Sequence, residues 1–360
     1  MMVNMKMPTR KTQPGFTLLE LMVAIALGLI VMGALAGLFK AGMESAMLLT
    51  QRTETQQNMR AAIDLMVKDI SMAGAGLPSG GIQLPTGAGS NGFSLYGCDQ
   101  SGTCHVPGDT YPTGNYLYGI IPGFNNGVEG GAVVTAAPAP AVNDSITSIY
   151  ADYNFPMWEY DITFPTPDTI TLTPNASYVP APPAINSPGA IQVGDLIMLS
   201  NSLGTAVGEV TTIGPTSITF NDLDPLNINQ GGAATNNVAS ISGGANTVAY
   251  RLLAVTYYLS VPPAGQTPRL MRQVNGLTPV PVADNIINLQ FSYDIYNSAT
   301  SALEANQANP LGAGDSPNLV QKVNIVIMGQ SMINHGNRSQ NLYLATSVSA
   351  RNMAFRNRYQ

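Results

Sequence analysis

Phe16 to Phe39 (FTLLELMVAIALGLIVMGALAGLF) forms a 24-residue apolar run broken by a single charge, Glu20. As a helix rising about 1.5 Å per residue it would extend about 36 Å, more than the roughly 30 Å hydrocarbon core of a bilayer. Lys6, Arg10 and Lys11 precede the run without any acidic residue, whereas Lys40, Glu44, Arg52 and Glu54 follow it. Cations gather on the cytoplasmic flank of a membrane span, so residues 1–15 belong in the cytoplasm and the bulk of the chain across the membrane. A conventional secretory signal is the competing reading, with Ala34-Leu35-Ala36 as a small-x-small site. The run is longer than such signals use, and it holds a carboxylate. A carboxylate inside a spanning segment is costly and marks a function or a partner, although Glu20 is close enough to Phe16 to reach the headgroup region.

Charge narrows the classes further. Only 10% of residues are charged, against about 25% in average soluble domains. Disordered chains pair low hydrophobicity with high charge, and this chain is 45% hydrophobic. Two cysteines cannot staple a chain of this length. No Lys or Arg occurs from Asp69 to Tyr250, 182 residues that hold 13 Asp or Glu. After Asp315 there is no acid, while Lys322, Arg338, Arg351, Arg356 and Arg358 are basic. A nucleic-acid binder needs a basic surface, so composition speaks against that partner except at the C-terminal end.

Gly15-Phe16-Thr17-Leu18-Leu19-Glu20-Leu21, after a short basic leader and ahead of the apolar run, resembles the class III signal of type IV pilin-like proteins. The resemblance implies that prepilin peptidase cuts between Gly15 and Phe16 on the cytoplasmic side and that Phe16 becomes the methylated amino terminus. Gly15 has no side chain to keep the peptidase from the backbone. The cut leaves an amine at Phe16, and a buried amine and a buried carboxylate are each costly unless paired. Glu20 is therefore expected to seek the Phe16 amine of a neighbouring subunit and to set subunit register. Loss of the leader removes three of 15 basic residues and none of 21 acids, taking the net charge from −6 to −9.

Beyond Phe39 good helix formers continue, with no proline until Pro78. Met59, Ile63, Met66 and Ile70 share one helical face and predict packing on a globular domain. Gly74, Gly76 and Pro78 form a stop signal. The helix is therefore expected from Phe16 to Ala73, about 85 Å long. Gly28, Gly33, Gly37 and Gly42 lie within it, as close-packing positions or as a local weak point that unwinds in a filament.

Residues 74–190 are rich in Gly, Pro, Asn and Thr and read as a loop-rich variable region, with strand-like pieces at Ser145 to Tyr150 and Trp158 to Phe164. Residues 191–360 read as a β-rich head. Its expected strands are Ile191 to Ser200, Ala206 to Ile213, Ser217 to Phe220, Thr247 to Val261, Leu270 to Val274, Ile286 to Tyr296, Leu319 to Met328 and Leu342 to Ser349. The expected class is α+β: a long N-terminal spine, membrane-spanning over 16–39 and amphipathic over 40–73, packed on an antiparallel sheet. Gly194-Asp195-Leu196, Asn221 to Leu226, Leu270-Met271-Arg272-Gln273, Val282 to Ile286, Leu289 to Tyr293 and Ser349-Ala350-Arg351-Asn352 together resemble minor pilins of the PilW type. The GspJ type of type II secretion pseudopilin shares the architecture and is the second reading.

Cys98 and Cys104 enclose a turn-forming sequence on the exported side, and a disulfide is preferred there. His105 is adjacent, but a five-residue spacing is not a usual zinc spacing and no fourth ligand is evident. Asp222 and Asp224 are weak calcium candidates, because Leu226 stands where an EF-hand needs an oxygen ligand; a polar turn is preferred. The two histidines, His105 and His335, have no recognisable nucleophile or metal partner nearby, and no G-x-S-x-G, P-loop or H-E-x-x-H occurs. Tyr111, Tyr116, Tyr118 and Trp158 line a recognition surface or cover the core. Neither an enzyme nor a cofactor is expected. The resemblance implies a minor pilin of the inner membrane that is processed and placed at the pilus tip, with other minor pilins, the major pilin and a tip adhesin as partners. A pseudopilin and an adhesion or DNA-uptake component are the alternatives.

Overall fold

A helix that is apolar on every side in its first half and striped in its second must find two environments. The computed structural model describes residues 15–88, 116–123, 128–129, 143–222, 224, 226–232, 234–260, 268–275, 277–308, 315–330 and 340–353. The chain divides into two compact units, Met1–Arg52 and Thr53–Gln360.

Helix α1 spans Leu18–Met72, 55 residues. It passes Gly28, Gly33, Gly37 and Gly42 without a break, and among the described residues nothing lies within 4 Å of where a Cβ would stand at any of them. In the second unit Met59, Ile63, Met66 and Ile70 are buried, as the stripe requires, and Thr55, Ala62 and Asp69 are buried beside them. The helix ends at Met72, one residue before the expected end, because Gly74 adopts φ 77°, a left-handed conformation that glycine takes without steric cost. The Gly74 N–H then donates to Ile149 O at 2.8 Å, and the Met72 carbonyl accepts the Ala75 N–H at 2.9 Å and Asn352 Nδ2 at 3.4 Å.

The strands, numbered in chain order, begin with β1 (Ile82–Gln83), β2 (Tyr116–Leu117), β3 (Ile120–Gly123), β4 (Val128–Glu129), β5 (Ser145–Asp152), β6 (Tyr160–Thr166) and β7 (Thr169–Pro174). They continue with β8 (Leu196–Asn201), β9 (Gly204–Glu209), β10 (Thr212–Ile213), β11 (Ser217–Thr219), β12 (Val248–Ser260) and β13 (Arg269–Val274). The last are β14 (Val280–Asp284), β15 (Ile286–Asn297), β16 (Ala302–Gln307), β17 (Val320–Gln330) and β18 (Asn341–Ser349). Among the described residues the largest sheet runs β14-β13-β12-β5-β3, with β8 and β9 extending from the first half of β12 and β4 pairing parallel to its end. A second sheet runs β16-β15-β17-β18, a third β10-β11-β7-β6, and β1 pairs with β2.

The α1 stripe, with Tyr257 and Leu259 of β12, Leu289 and Phe291 of β15 and Ile325 and Ile327 of β17, forms one apolar core. A second core gathers around Met157, Ile170, Leu199 and Phe220, and a third around Leu117, Ile149, Leu196 and Leu252. The class is α+β with antiparallel sheets, as expected.

Several expected boundaries move. Every residue of β5 is buried, and β5 pairs with β12 over Asp152↔Arg251 to Ile146↔Tyr257. Residues read as a loop-rich region thus stand in the middle of the largest sheet, beside residues read as the head. The expected strand from Ile191 starts only at Leu196, because Gly194 (φ 92°) and Asp195 form a turn that the Val210 carbonyl closes by accepting the Gly194 N–H at 2.8 Å. Trp158 lies in a short 3-10 turn (Met157–Glu159) ahead of β6 rather than in a strand, with Pro156 at its N-cap.

Candidate functional site

The residues singled out at the N-terminus lie together. Gly15, Phe16 and Thr17 precede α1, all exposed, with Phe16 90% exposed. Among the described residues nothing stands within 4 Å of a Cβ built on Gly15. The Thr17 N–H and hydroxyl both donate to Glu20 Oε2 at 3.0 Å, and the Glu20 N–H donates back to Thr17 Oγ1 at 3.3 Å. This is a reciprocal capping box, in which Thr and Glu each satisfy a backbone donor that a helix start leaves unpaired. The pattern Thr17-x-x-Glu20 was legible, yet the expectation for Glu20 considered only a neighbouring subunit. The cap holds the carboxylate beside the end of the chain that a cut after Gly15 would create.

From Phe16 to Phe39 fifteen large apolar side chains are exposed, among them Leu18, Leu29, Ile30, Met32 and Phe39. The most apolar 18-residue window has mean hydropathy 2.6, and none of it is buried. Each such side chain gains about 1.5–3 kcal/mol on leaving water, so the segment forgoes on the order of tens of kcal/mol unless lipid or other helices cover it. The N-terminal helix is thus of the membrane-anchoring kind.

In the second unit α1 carries a buried acid. Asp69 lies between Met66 and Ile70 on the apolar stripe and is 2% exposed. Tyr150 of β5 donates to its Oδ1 at 2.9 Å, and Tyr257 of β12 donates to its Oδ2 at 2.6 Å. Arg272 of β13 donates through Nε to the same Oδ2 at 2.9 Å. Burial first, and the Asp69 charge second, push both tyrosines well above the ordinary phenol range. Burial works to lower Arg272, but its hydrogen bond to Asp69 and the charge of Asp69 outweigh this and hold it above its ordinary value. The cluster fastens the amphipathic helix to β5, β12 and β13. Asp69 escaped the sequence reading, although a carboxylate on an apolar stripe is itself the signal of a buried partner.

Arg272 comes from one of the segments that carried the finer resemblance, and two others have comparable roles. Asp195 accepts the Gln192 N–H at 2.9 Å and lies 3.7 Å from Arg251 Nη1. Arg251 donates through Nε to Asp152 at 2.9 Å, through Nη2 to the same carboxylate, and through Nη1 to the Ala190 carbonyl. Burial raises Asp195, opposed by the Gln192 N–H, by Arg251 and by Asn275. In the closing segment Ala350 and Met353 are buried in the same core as α1.

Asp222 and Asp224 part company. Asp222 is exposed, whereas Asp224 is buried and accepts the Ile228 and Asn229 N–H groups at 2.8 Å. Glu209 of β9, which the sequence reading passed over, accepts the Leu226 N–H through Oε2 at 2.9 Å. Burial, then a hydrogen bond with Asp224 and the charge of Asp224, push Glu209 up to about 9. Glu209 therefore keeps its proton far above the ordinary carboxylate range. Among the described residues no group of three or more His, Cys, Asp or Glu is placed to hold a metal ion.

Cys98, Cys104, His105, Tyr111 and His335 lie outside the described residues. Tyr116 and Tyr118 stack at 5.9 Å, with Tyr118 buried, so this pair covers core. Trp158 is half-buried beside Tyr153 and Tyr250, at 5.7 and 6.3 Å between ring centres.

Residues 10–36 match the family described as the prokaryotic N-terminal methylation motif. This type IV prepilin-like motif covers Gly15, Phe16, Glu20 and most of the apolar run, and it implies processing by prepilin peptidase in a pilus-assembly context. Comparison with curated proteins found no match, and comparison with solved structures found none.

Proposed function

We propose that this chain, a type IV pilin-like or pseudopilin precursor by its N-terminal motif, acts as a minor pilin of the PilW type that primes pilus assembly at the filament tip. The observation that carries the reading is the methylation motif over 10–36, seated at the start of a helix whose first half is exposed and apolar and whose second half is buried on sheets. Such a helix suits a subunit that leaves lipid for a helical bundle without unfolding its head. The precursor spans the inner membrane once with residues 1–15 in the cytoplasm. After cleavage Glu20, already held at the helix start, meets the Phe16 amine of a neighbour. The activity is assembly with other minor pilins and the major pilin, not turnover, and it calls on no cofactor.

The test is deletion of the chromosomal copy followed by counts of surface filaments and assays of secreted enzymes. Fewer filaments with normal major pilin and normal secretion is the expected result. Normal filaments with a secretion defect would assign the chain to a pseudopilus of the GspJ type instead.

A further inference from the structure

Strand β18 is an edge, since among the described residues it pairs only with β17. Sheet edges offer a row of unpaired N–H and C=O groups, and proteins blunt them with proline, charge, bulges or brevity. Among the described residues the other edges of four or more residues do so. β14 has Pro281, Asp284 and a shifted register against β13. β16 has Glu304 and a shifted register against β15. β6 has Asp161, Pro165 and a shifted register against β7. β3 contains Pro122, and β9 is only six residues long. β18 has none of these: its nine residues, NLYLATSVS, carry neither charge nor proline and pair with β17 in unbroken register from Asn341↔Gln330 to Ser349↔Lys322.

The core is also open along this edge. Leu342, Leu344 and Thr346 sit opposite the buried Gly329, Ile327 and Ile325 and so share the α1 side of the sheet, yet all three are only half-buried. Beside them a cavity of about 60 Å³ is lined by Gln56, Met59 and Arg60 of α1 and by Leu342, Tyr343 and Leu344. One more strand at the usual spacing of about 4.8 Å would cover these side chains and seat an apolar side chain of its own over the cavity. Arg60 is exposed at its rim and makes no ion pair among the described residues.

The geometry points to the open edge of β18 as the docking site for an extended strand of a different polypeptide, one that turns alternate apolar side chains toward α1 and carries a carboxylate for Arg60. Pairing of β18 with the β18 of a second copy does not fit. Antiparallel pairing of β18 with its own copy needs a two-fold axis normal to the sheet, which reverses the direction in which α1 crosses it. Parallel pairing turns one inward face outward. Two helices that emerge from one membrane run the same way, and this step alone rests on the membrane reading.

Amide exchange of residues 341–349 in the full chain, purified in detergent, tests the site. The probe is a synthetic peptide, Thr-Val-Thr-Val-Thr-Val-Thr-Glu-Thr. It should slow exchange in 341–349 at least tenfold, and Lys in place of its Glu should weaken binding at least tenfold. Thr346→Lys, an inward charge at the edge, should abolish the protection, while Ser347→Lys, on the outward face, should keep it. If T346K loses the protected α1 core, N-methylation of alternate peptide amides supplies the same block from the ligand side. Absence of protection, protection that survives T346K or N-methylation, equal binding of the Lys peptide, or a dimer lost in T346K would each overturn the proposal. The readout does not depend on processing or filaments, so failure of the pilin reading and failure of the edge site are seen separately.

Discussion

Arg272 Nε lies 2.9 Å from Asp69 Oδ2, so a strand in the second half of the chain holds the helix that begins near the first residue. Removing one partner of a buried ion pair leaves the other charge uncompensated, at about 3–5 kcal/mol. The Asp69 side chain is 3% exposed and that of Arg272 21%, which places Asp69→Ala toward the upper part of that range and Arg272→Met below it. Urea unfolding of the full chain in detergent should show both losses, and the double variant should cost less than their sum.

Glu20→Gln should leave cleavage after Gly15 intact and reduce entry into filaments. The amide retains an acceptor oxygen for the Thr17 N–H but has no charge for a neighbouring amine. Mass spectrometry of the processed chain and quantification of the filament fraction check the two halves. Incorporation equal to wild type would exclude the pairing role.

Glu209 makes stability pH-dependent with a sign opposite to that of an ordinary salt-bridged acid. Its pKa rises from 4.5 to about 9 on folding, so the folded chain holds a proton that the unfolded chain releases above 4.5. That contribution is complete below pH 4.5 and is lost as pH rises through 9, at up to about 1.4 kcal/mol per pH unit. Glu209→Gln mimics the protonated acid and should be more stable than wild type at pH 8, by at least about 1 kcal/mol. Thermal melts from pH 5 to 9 should fall more steeply for wild type than for the variant.

Gly119→Ala should destabilise the end of α1. A Cβ there would lie 2.5 Å from Gly74 N and 2.7 Å from Gly74 Cα, backbone atoms that cannot turn aside. Overpacking of this kind costs about 1–3 kcal/mol. Exchange of the Gly74 amide, which donates to Ile149 O, should quicken first.

Local signals were read where the physics is local. The apolar run, the helix stripe at Met59, Ile63, Met66 and Ile70, and the long β15 and β17 follow from side-chain periodicity within one element. β5 was half legible: its residues read as a strand, but its place between β12 and β3 depends on partners about 100 residues away. Likewise Glu209 is an unremarked acid in sequence and acquires its proton only because folding buries it and brings Asp224 beside it.

By itself the sequence determined the apolar N-terminal helix, the methylation motif over 10–36, the buried face of α1 and the α+β class, because each rests on the hydropathy or chemistry of neighbours along the chain. Only the tertiary structure decided which strand became the bare edge, which arginine met Asp69 and which acid kept its proton. Those outcomes depend on burial and on pairing between residues distant in sequence, and neither exists until the chain has folded.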